Sequence, residues 1–556
     1  MLGAVLAARQ RKYSRWSTRV EQAASVLPAQ LTLSGRQMMA PHLRKIAVVP
    51  IVLLLFIFAA MASAQTPVPT YEYNNARMGA DTAETILTPA NVNKNSFGKL
   101  FSLPVNGLIF AQPLYVPNLP IPGLGTHNVI YVATQHNTLY AFDADNGATL
   151  WSASLGSFQS MSGCTPEYDM GVMGTPVIAP ASKTIYVAAL ALLNGNPAYQ
   201  LHALDITSGT ERPASPVTVT ASVAGMGYGS VNGQLTFSPM NQRQRTALLL
   251  DNGIVYVGFA SNCDDAFVAF GHGWLFGYGA TTLKLRSLFV SSANGYGSGI
   301  WQSGGGPAAD ANHYKYLSTA NGTFDVNQGG NDYGDTVLKL APNGSAVLDY
   351  FTPFNEATLE ATDFDLGSGG ITLLPDQATS PKHLMITGGK QGRIYLINRD
   401  NLGHFHSSAD SVVQEWPGTR RLFSTITFWN NRLYFAEAGD TLRAFSFVGG
   451  RMSKNPTSQT LAKFPFPGSG AVVSANGTSN GIVWVKQHGG TASHNEVLHA
   501  YDATNLANEL YNSDQAGTRD LPGIVGKPFE SILVANGRVY VPSGQPQITV
   551  FGLLPH

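Results

Sequence analysis

A motif centred on one aromatic or apolar residue recurs eight times along this chain, at intervals of 49 to 70 residues. Its clearest copy, V-I-Y-V-A-T-Q-H-N-T-L-Y-A-F-D-A-D-N-G-A-T-L-W (129–151), alternates apolar and polar residues and carries turn residues at Q-H-N and D-A-D-N-G. This pattern predicts an antiparallel meander. A lone meander leaves one face uncovered and both edges unpaired, so the copies must pack on one another. The central positions are Tyr131, Tyr186, Tyr256, Tyr316, Met385, Tyr434, Trp484 and Tyr540.

A further strand is predicted just before each central one, which gives four strands per repeat. Eight units of this size are typical of an all-β, eight-bladed propeller made of four-stranded antiparallel blades. The predicted preceding strands are A-Q-P-L-Y-V-P (111–117), G-T-P-V-I-A (174–179), R-T-A-L-L-L (245–250), W-Q-S-G-G-G (301–306), G-G-I-T-L-L-P (369–375), F-S-T-I-T-F-W (423–429), G-A-V-V-S-A (470–475) and E-S-I-L-V-A (530–535).

The last blade lacks its outer strand, because the chain ends at I-T-V-F-G-L-L-P-H (548–556). The segment F-G-K-L-F-S-L-P-V (97–105) resembles the outer strand T-L-W-S-A-S-L of the first blade and has no meander before it. We therefore expect 97–105 to pair with the eighth blade and close the ring, since an open ring exposes a strand edge.

The first 64 residues are predicted to lie outside this fold. Arg44 and Lys45 precede the apolar run I-A-V-V-P-I-V-L-L-L-F-I-F-A-A-M, and A-S-A (62–64) is a small-residue cleavage site. This pattern predicts a signal peptide and export to the periplasm or the extracellular space. The alternative is an uncleaved membrane anchor, although the run is short for a span and contains a proline. The translation start is expected at Met38 or Met39, because the basic residues before them are unusual for a signal peptide.

These boundaries give three regions: 1–64, an irregular Pro/Asn/Thr-rich arm at 65–96, and the propeller at 97–556. The whole chain has 34 basic and 34 acidic residues, and the first 64 hold eight basic and one acidic, so the remainder carries a net charge of −7. No basic stripe remains, which argues against nucleic acid as a partner. The two cysteines, Cys164 and Cys263, are predicted in loops on one face, either as a disulfide or as separate thiols.

The repeat I-Y-V-A-T-Q-H-N-T-L-Y-A-F-D-A-D-N-G-A-T-L-W resembles that of the pyrroloquinoline quinone (PQQ) propellers. That superfamily includes the eight-bladed quinoprotein alcohol dehydrogenases and non-enzymatic relatives such as an outer-membrane assembly lipoprotein. The resemblance extends over the spacing of the whole propeller. It implies the fold, and it implies an activity only if the cofactor site is present.

The dehydrogenases hold the quinone over the central channel with a calcium ion, so the resemblance implies particular site residues. Y-L-S-T-A-N-G resembles the segment in which an amide oxygen binds calcium, here Asn321. T-D-F-D-L-G-S-G-G resembles the segment with the general base, here Asp365, whose carboxylate is also a candidate calcium ligand. T-G-G-K-Q-G-R resembles the segment whose cation contacts the quinone, here Lys390. Oxygen ligands, a base and a cation suit Ca²⁺-assisted alcohol oxidation.

Three features that the resemblance implies are missing. Ala308 and Ala309 stand where a tryptophan forms the floor of the quinone site, so Trp301 is the candidate replacement. No calcium-binding glutamate is found in A-L-A-L-L-N-G-N-P-A-Y (189–199), and Cys164 has no neighbouring cysteine for the ring disulfide. The sequence favours an exported binding or interaction propeller with a degenerate site. The alternative is a PQQ- and Ca²⁺-dependent alcohol or sugar dehydrogenase.

Each site residue also has a structural interpretation. Asp365 lies in a blade-connecting loop, where aspartate commonly bonds its own backbone, Asn321 precedes a glycine in a turn-like pair, and Lys390 lies in a turn flanked by glycines. Further polar residues on the same rim, including Asp332 and Asp335, form either a ligand mouth or a hydrated edge. The predicted partner is a small molecule, a glycan or a protein at the channel mouth.

Overall fold

The computed structural model describes residues 65–161, 168–262, 271–489, 496–523 and 529–555. Within these ranges the chain forms eight four-stranded antiparallel sheets that follow one another in sequence, as the eight-bladed propeller requires. Sequential pairing keeps blades one to seven local in sequence, whereas blade eight takes its outer strand from the N-terminal segment. The fold class predicted from the repeat is confirmed.

The strands of blades one to four, from the innermost outward, have the following bounds. Blade one contains Leu114–Ile121, Gly125–Ala133, Thr138–Asp143 and Thr149–Ser154. Blade two contains Val177–Ala179, Thr184–Leu193, Asn196–Asp205 and Val217–Thr218. Blade three contains Leu249–Asp251, Ile254–Ser261, Trp274–Gly279 and Leu285–Val290. Blade four contains Ala308–Ala309, Lys315–Ser318, Val337–Leu340 and Val347–Phe351.

The remaining blades repeat this arrangement. Blade five contains Thr372–Leu373, Leu384–Gly388, Arg393–Asn398 and Gln414–Pro417. Blade six contains Thr427–Trp429, Arg432–Ala436, Asp440–Val448 and Ser458–Phe464. Blade seven contains Ala471–Asn476, Ser479–Gln487, Val497–Asp502 and Glu509–Asn512. Blade eight contains Leu533–Ala535, Arg538–Pro542, Gln547–Leu553 and the N-terminal strand Phe97–Pro104.

Short elements lie outside the blades or at their edges. The additional strands are Ala80–Asp81, Gln159–Met161, Tyr168–Met170, Ser222–Ala224, Gln234–Thr236, Gln242–Arg243 and Arg451–Met452. The helical turns are the α-helix Glu356–Ala361 and the 3₁₀ turns Pro180–Ser182, Gln302–Gly304, Val326–Gln328, Leu366–Ser368 and Ser513–Arg519. None of these helices is long and apolar enough to cross a bilayer.

Four of the six repeated tyrosines donate hydrogen bonds to the neighbouring blade. The hydroxyl of Tyr131 in blade one donates to the carbonyl of Ile206 in blade two at 2.9 Å, and Tyr186 donates to Ala280 in blade three at 2.9 Å. Tyr256 contacts the carbonyl of Pro342 in the next blade at 3.2 Å in the same way. Each ring is buried in the interface while its hydroxyl reaches a backbone acceptor, which explains why tyrosine recurs at this position.

The apolar core is divided into eight clusters, one between each pair of neighbouring blades. Seven of them join consecutive blades, and the eighth joins blade eight to blade one through Leu103, Tyr115, Ile130 and Tyr540. Leu103 belongs to the N-terminal strand, which pairs antiparallel with Gln547–Leu553. The pairing expected for 97–105 is therefore present. Whether folding depends on it remains a prediction.

The N-terminal arm lies along the centre of the ring and contacts the innermost strand of every blade. The side chain of Asn75 donates to the carbonyl of Leu250 in blade three, and the hydroxyl of Tyr73 bonds the backbone of Val534 in blade eight. In the other six blades, backbone carbonyls of the arm accept hydrogen bonds from the amides of Tyr115, Ile178, Ala309, Leu373, Phe428 and Val473. The arm therefore covers the inner edge that each blade presents to the channel.

Blade four differs from the prediction. The segment W-Q-S-G-G-G (301–306) is not a strand: residues 302–304 form a 3₁₀ turn, and the innermost strand is Ala308–Ala309. Gln302 and Ser303 both have φ of +49° and Gly304 has φ of +103°, values that interrupt an extended chain. Ser303 is held there by its hydroxyl, which donates to the carbonyl of Ser368 at 2.6 Å.

Candidate functional site

Three of the predicted site residues lie in loops that open on one face of the ring. Asn321 follows the second strand of blade four, and Lys390 follows the second strand of blade five. Asp365 lies in the connection between these two blades. Because strands alternate in direction, loops of these two kinds emerge at the same end of a blade. The order of the strands is therefore sufficient to place Asn321, Asp365 and Lys390 close together.

These three residues are in direct contact through the carboxylate of Asp365. Its Oδ1 accepts the backbone N–H of Asn321 at 2.8 Å, and its Oδ2 forms an ion pair with Nζ of Lys390. The backbone N–H of Lys390 also donates to the carbonyl of Asp365 at 2.9 Å. Asp365 is only 1 % exposed, whereas Asp363, a second carboxylate partner of Lys390, lies at the surface. Both oxygens of Asp365 are thus engaged by the protein itself.

The side chain of Asn321 is oriented by the helix that precedes Asp365. Its Nδ2 approaches the carbonyls of Leu359 at 3.4 Å and Glu360 at 3.3 Å. Glu360 in turn accepts hydrogen bonds from the backbone N–H of Gly322 and, at 2.6 Å, from the hydroxyl of Tyr296. The Oδ1 of Asn321 is buried and has no hydrogen-bond partner within the described ranges. This amide oxygen is the atom that the resemblance assigns to calcium.

A second buried carboxylate, Asp335, completes the cluster. Its Oδ1 accepts the backbone N–H of Leu366 at 2.8 Å, while its Oδ2 has no hydrogen-bond partner among the described residues. Burial and, to a smaller extent, the charge of Asp365 raise the pKa of Asp335 well above its usual range. Both effects disfavour the charged form of this carboxylate. The sequence indicated Asp335 only as a rim residue, because its contact to Leu366 spans 31 residues and leaves no local motif.

Trp301 belongs to a different cluster, on the axis of the ring. Its ring packs edge-on against Phe529, with centroids 5.3 Å apart, and against Phe423 at 6.2 Å. Phe466 contacts both phenylalanines and is 54 % exposed. These residues lie in the connections that precede the innermost strands of blades four, six, seven and eight, so they meet at the centre. We call Trp301, Phe423, Phe466 and Phe529 the mouth cluster.

Arg245 and the arm lie next to this cluster. The guanidinium of Arg245 is buried and donates to the carbonyls of Phe529 at 2.6 Å and Met173 at 3.1 Å. The arm residue Tyr71 approaches the hydroxyl of Thr425 in blade six at 3.4 Å. Glu72 beside it is also buried, and burial raises its pKa to about 8. The channel therefore contains polar residues of the arm in addition to the inner strands.

This arrangement does not fit a bound quinone. A quinone needs a flat aromatic face, but the rings of the mouth cluster meet Trp301 at 74° and 78°. Ala309, which stands near the expected floor, donates its N–H to the arm at Asn75. Lys390 and Asp365 form an ion pair, so a quinone would have to displace this contact to reach Lys390. The described residues contain no group of three or more His, Cys, Asp or Glu side chains arranged to hold a metal ion. Cys164 and Cys263 lie outside the described residues.

Comparison with solved structures identifies the class of fold. The chain is similar to the quinohemoprotein alcohol dehydrogenase of Comamonas testosteroni, with 15 % identity, a TM-score of 0.56, and coverage of 89 % of this chain and 82 % of that one. It is also similar to a europium-containing methanol dehydrogenase, with 13 % identity, a TM-score of 0.56, and coverage of 88 % and 98 %.

These similarities show that the chain shares the eight-bladed propeller fold of these two dehydrogenase structures. The resemblance predicted from the repeat is thereby confirmed at the level of the fold. No family model matches the sequence, and no curated protein matches it. At this level of identity the fold alone is established, and it is a fold that serves several functions.

Proposed function

We propose that this protein is an exported binding propeller that uses the quinoprotein scaffold without its cofactor chemistry. The observation that supports this most directly is the internal pairing of Asp365, whose Oδ1 accepts the N–H of Asn321 while its Oδ2 pairs with Lys390. A general base must have a lone pair that reaches the proton it removes. Here the carboxylate is buried, and both oxygens already serve to hold loops of blades four and five together.

The ligand surface of this proposal is the mouth cluster. Aromatic rings supply a large contact area at low entropic cost, and they bind best where part of the ring remains exposed. Phe466 meets this condition, since it is 54 % exposed and its ring packs against the rings of Phe423 and Phe529. The proposed occupant is an apolar or aromatic group of a small molecule, a glycan or a protein. Export rests on the signal peptide predicted within residues 1–64.

The alternative is a PQQ- and Ca²⁺-dependent alcohol or sugar dehydrogenase. One observation favours it: Oδ1 of Asn321 and Oδ2 of Asp335 are both buried without a hydrogen-bond partner in the described part of the chain. Uncompensated buried oxygens are costly, and oxygens of this kind are the ligands that Ca²⁺ prefers. A dehydrogenase would also require Lys390 to exchange Asp365 for the quinone.

Thermal unfolding with PQQ and Ca²⁺ separates the two functions. A ligand that binds only the folded state stabilises it by about 2.7 kcal/mol at a hundredfold excess over its dissociation constant. With an unfolding entropy of about 2.1 cal/mol/K per residue over roughly 490 residues, this raises Tm by about 3 °C. The binding proposal predicts no rise. It also predicts that Phe466→Ala weakens binding of the apolar dye 8-anilinonaphthalene-1-sulfonate, whereas an exposed control change, Leu348→Ala, does not.

The dehydrogenase result has a distinct signature. Tm would rise only with PQQ and Ca²⁺ together, and the loaded protein would reduce a redox dye when alcohol is added. Asp365→Asn would retain most of the rise in Tm and lose the dye reduction, because it preserves the shape and removes the base. This combination would overturn the binding proposal.

A further inference from the structure

A separate cavity lies between blades four and five, on the face opposite to Asn321, Asp365 and Lys390. Its walls come from the turn that follows the innermost strand of each blade (310–314 and 374–383) and from the residues after the third strand of blade five (399–400). Turns of these two kinds emerge at the other end of a blade. The cavity has a volume of about 320 Å³, within the range of pockets that hold small molecules.

One wall of the cavity is apolar and is partly formed by the arm. Met78 of the arm lies beside Leu374 and Pro375 of blade five, and Tyr314 of blade four adds an aromatic side chain. The arm is fixed at this point, because Ala76 accepts the N–H of Leu373 at 2.9 Å and Met78 accepts the N–H of Phe428 at 2.8 Å. The wall is therefore held in place by backbone hydrogen bonds.

The rest of the lining is polar and preorganised around a buried arginine. The side chain of Arg399 is 6 % exposed, and its Nη1 lies 3.2 Å from Oδ2 of Asp310. Asp310 also accepts the hydroxyl of Tyr316 at 2.9 Å. Lys339 donates from Nζ to the carbonyl of Arg399 at 2.7 Å and lies 4.6 Å from the centre of the Tyr314 ring. These contacts fix the side chains before any ligand binds.

The charges of this wall select the ligand. Three carboxylates, Asp310, Asp376 and Asp400, stand beside two cations, Lys339 and Arg399. His383 at the rim pairs with Asp400 at 2.9 Å. An anion would meet the three carboxylates, and a cation would meet the arginine and the lysine, so neither gains a matched site. A neutral ligand rich in hydroxyl groups uses both, because each hydroxyl accepts from a cation and donates to a carboxylate.

We propose that this cavity binds a saccharide. The hydroxyl groups of the sugar would bond the mixed polar wall, and its C–H face would pack against Met78, Pro375 and the ring of Tyr314. This site is independent of the mouth cluster and of any quinone, because it lies on the other face of the ring. Its ligand also contacts the arm, so occupancy stabilises the arm against local opening.

Calorimetric titration of the full-length chain with neutral disaccharides tests this proposal. The probes are maltose, cellobiose and N,N′-diacetylchitobiose, with citrate and spermidine as charged comparisons. At least one disaccharide should bind with a dissociation constant of about 1 mM or tighter. Lys339→Met keeps the length of the side chain and removes its N–H donors, and Tyr314→Ala removes the aromatic wall. Each should weaken binding by about tenfold.

Two further measurements distinguish a built site from general surface binding. The control Asp514→Ala removes an exposed carboxylate in blade seven and should leave the affinity for the sugar unchanged. Hydrogen exchange at the amides of Leu373 and Phe428 should slow in the presence of the sugar, because these amides donate to the arm beside the cavity. Binding of citrate or spermidine in preference to all three disaccharides would overturn the proposal. So would a sugar affinity that neither Lys339→Met nor Tyr314→Ala changes, or the absence of sugar binding.

Discussion

The substitution Arg77→Met tests whether the arm holds the inner strands as the structure shows. Arg77 is fully buried and donates five hydrogen bonds, to the carbonyls of Pro307, Leu248 and Tyr71 and to the hydroxyl of Thr70. Burial lowers its pKa to about 10, so the guanidinium remains charged at pH 7. Methionine preserves much of the length of the side chain and removes every donor.

The magnitude follows from the acceptors that lose their donor. Three buried carbonyls become unsatisfied, at about 1 kcal/mol or more each, while the hydroxyl of Thr70 is free to rotate. The expected loss is therefore about 3 kcal/mol, since the recovered solvation of the guanidinium offsets part of a larger penalty. For a domain of roughly 490 residues this lowers Tm by about 3 °C. The control Arg286→Met, at an exposed position on blade three, should change Tm by less than about 0.5 °C.

Hydrogen exchange measured by mass spectrometry gives the decisive readout. Release of the arm leaves the amides of Ile178, Leu373, Phe428 and Val473 without the carbonyls that accept them. Peptides that contain these residues should exchange faster in Arg77→Met, while peptides from the outer strands should be unchanged. Unchanged exchange at the inner strands, together with an unchanged Tm, would refute the assignment of Arg77 as the residue that anchors the arm.

The next two predictions concern the buried Glu72 of the arm and the closure of the ring by the N-terminal strand. Burial raises the pKa of Glu72 to about 8. Between about pH 4.3 and pH 8 the unfolded chain has released a proton that the folded chain retains. The free energy of unfolding should therefore fall as the pH rises through this range. Glu72→Gln should lessen this dependence in pH-dependent melting curves, although Glu437, with a pKa of about 7, contributes in the same direction. Deletion through Val105 removes the outer strand of blade eight and should abolish cooperative unfolding by calorimetry; a deletion variant that melts like the parent would contradict a need for ring closure.

The repeat predicts the fold because blades one to seven are each local in sequence. The spacing of the marked residues indicated all eight blades. Four of the six tyrosines among them carry hydrogen bonds between blades. The innermost strands were harder to place. In blade four the observed strand has only two residues, and Trp301 immediately precedes a 3₁₀ turn. A strand this short has no periodicity to detect.

The sequence of the arm does not predict its path through the structure. Its hydrogen bonds go to a different blade every few residues, so no alternation or helical period develops in its sequence. Glu72, Tyr73 and Arg77 have φ between +53° and +69°, which non-glycine residues rarely adopt without support from tertiary contacts. The sequence predicts an irregular segment. Its position along the axis depends on contacts with residues 40 to 461 positions away.

The candidate site was predictable in part, because the repeat fixes the order of the strands and the loops between them. The loop positions of Asn321, Asp365 and Lys390 follow from strand order, and the structure brings them into contact. Their partners Asp335 and Glu360 were not identified as site residues, because both act through backbone N–H donors of other loops. Trp301 was predicted as a floor from its residue type alone. Its packing against Phe529 depends on a blade more than 220 residues away, which no local pattern records.

The mouth cluster determines how strongly a quinone could compete for the channel. Entry of a flat cofactor beside Trp301 requires its ring to separate from Phe529 and Phe423, and each aromatic pair contributes about 0.5–1.5 kcal/mol. Two such pairs reduce the affinity by roughly 5- to 150-fold relative to an open site. Phe529→Ala removes one of these two pairs, at a position where the backbone φ is +74°. If the protein is a dehydrogenase whose cofactor site is blocked by the mouth cluster, this variant should bind PQQ with Ca²⁺ more tightly than the parent. The tighter binding would be measured as a larger rise in Tm. If the mouth is a binding surface without cofactor chemistry, Phe529→Ala gains no affinity for PQQ and binds the apolar dye more weakly. A tighter complex with PQQ would therefore contradict the function proposed here, even if the parent protein shows no response.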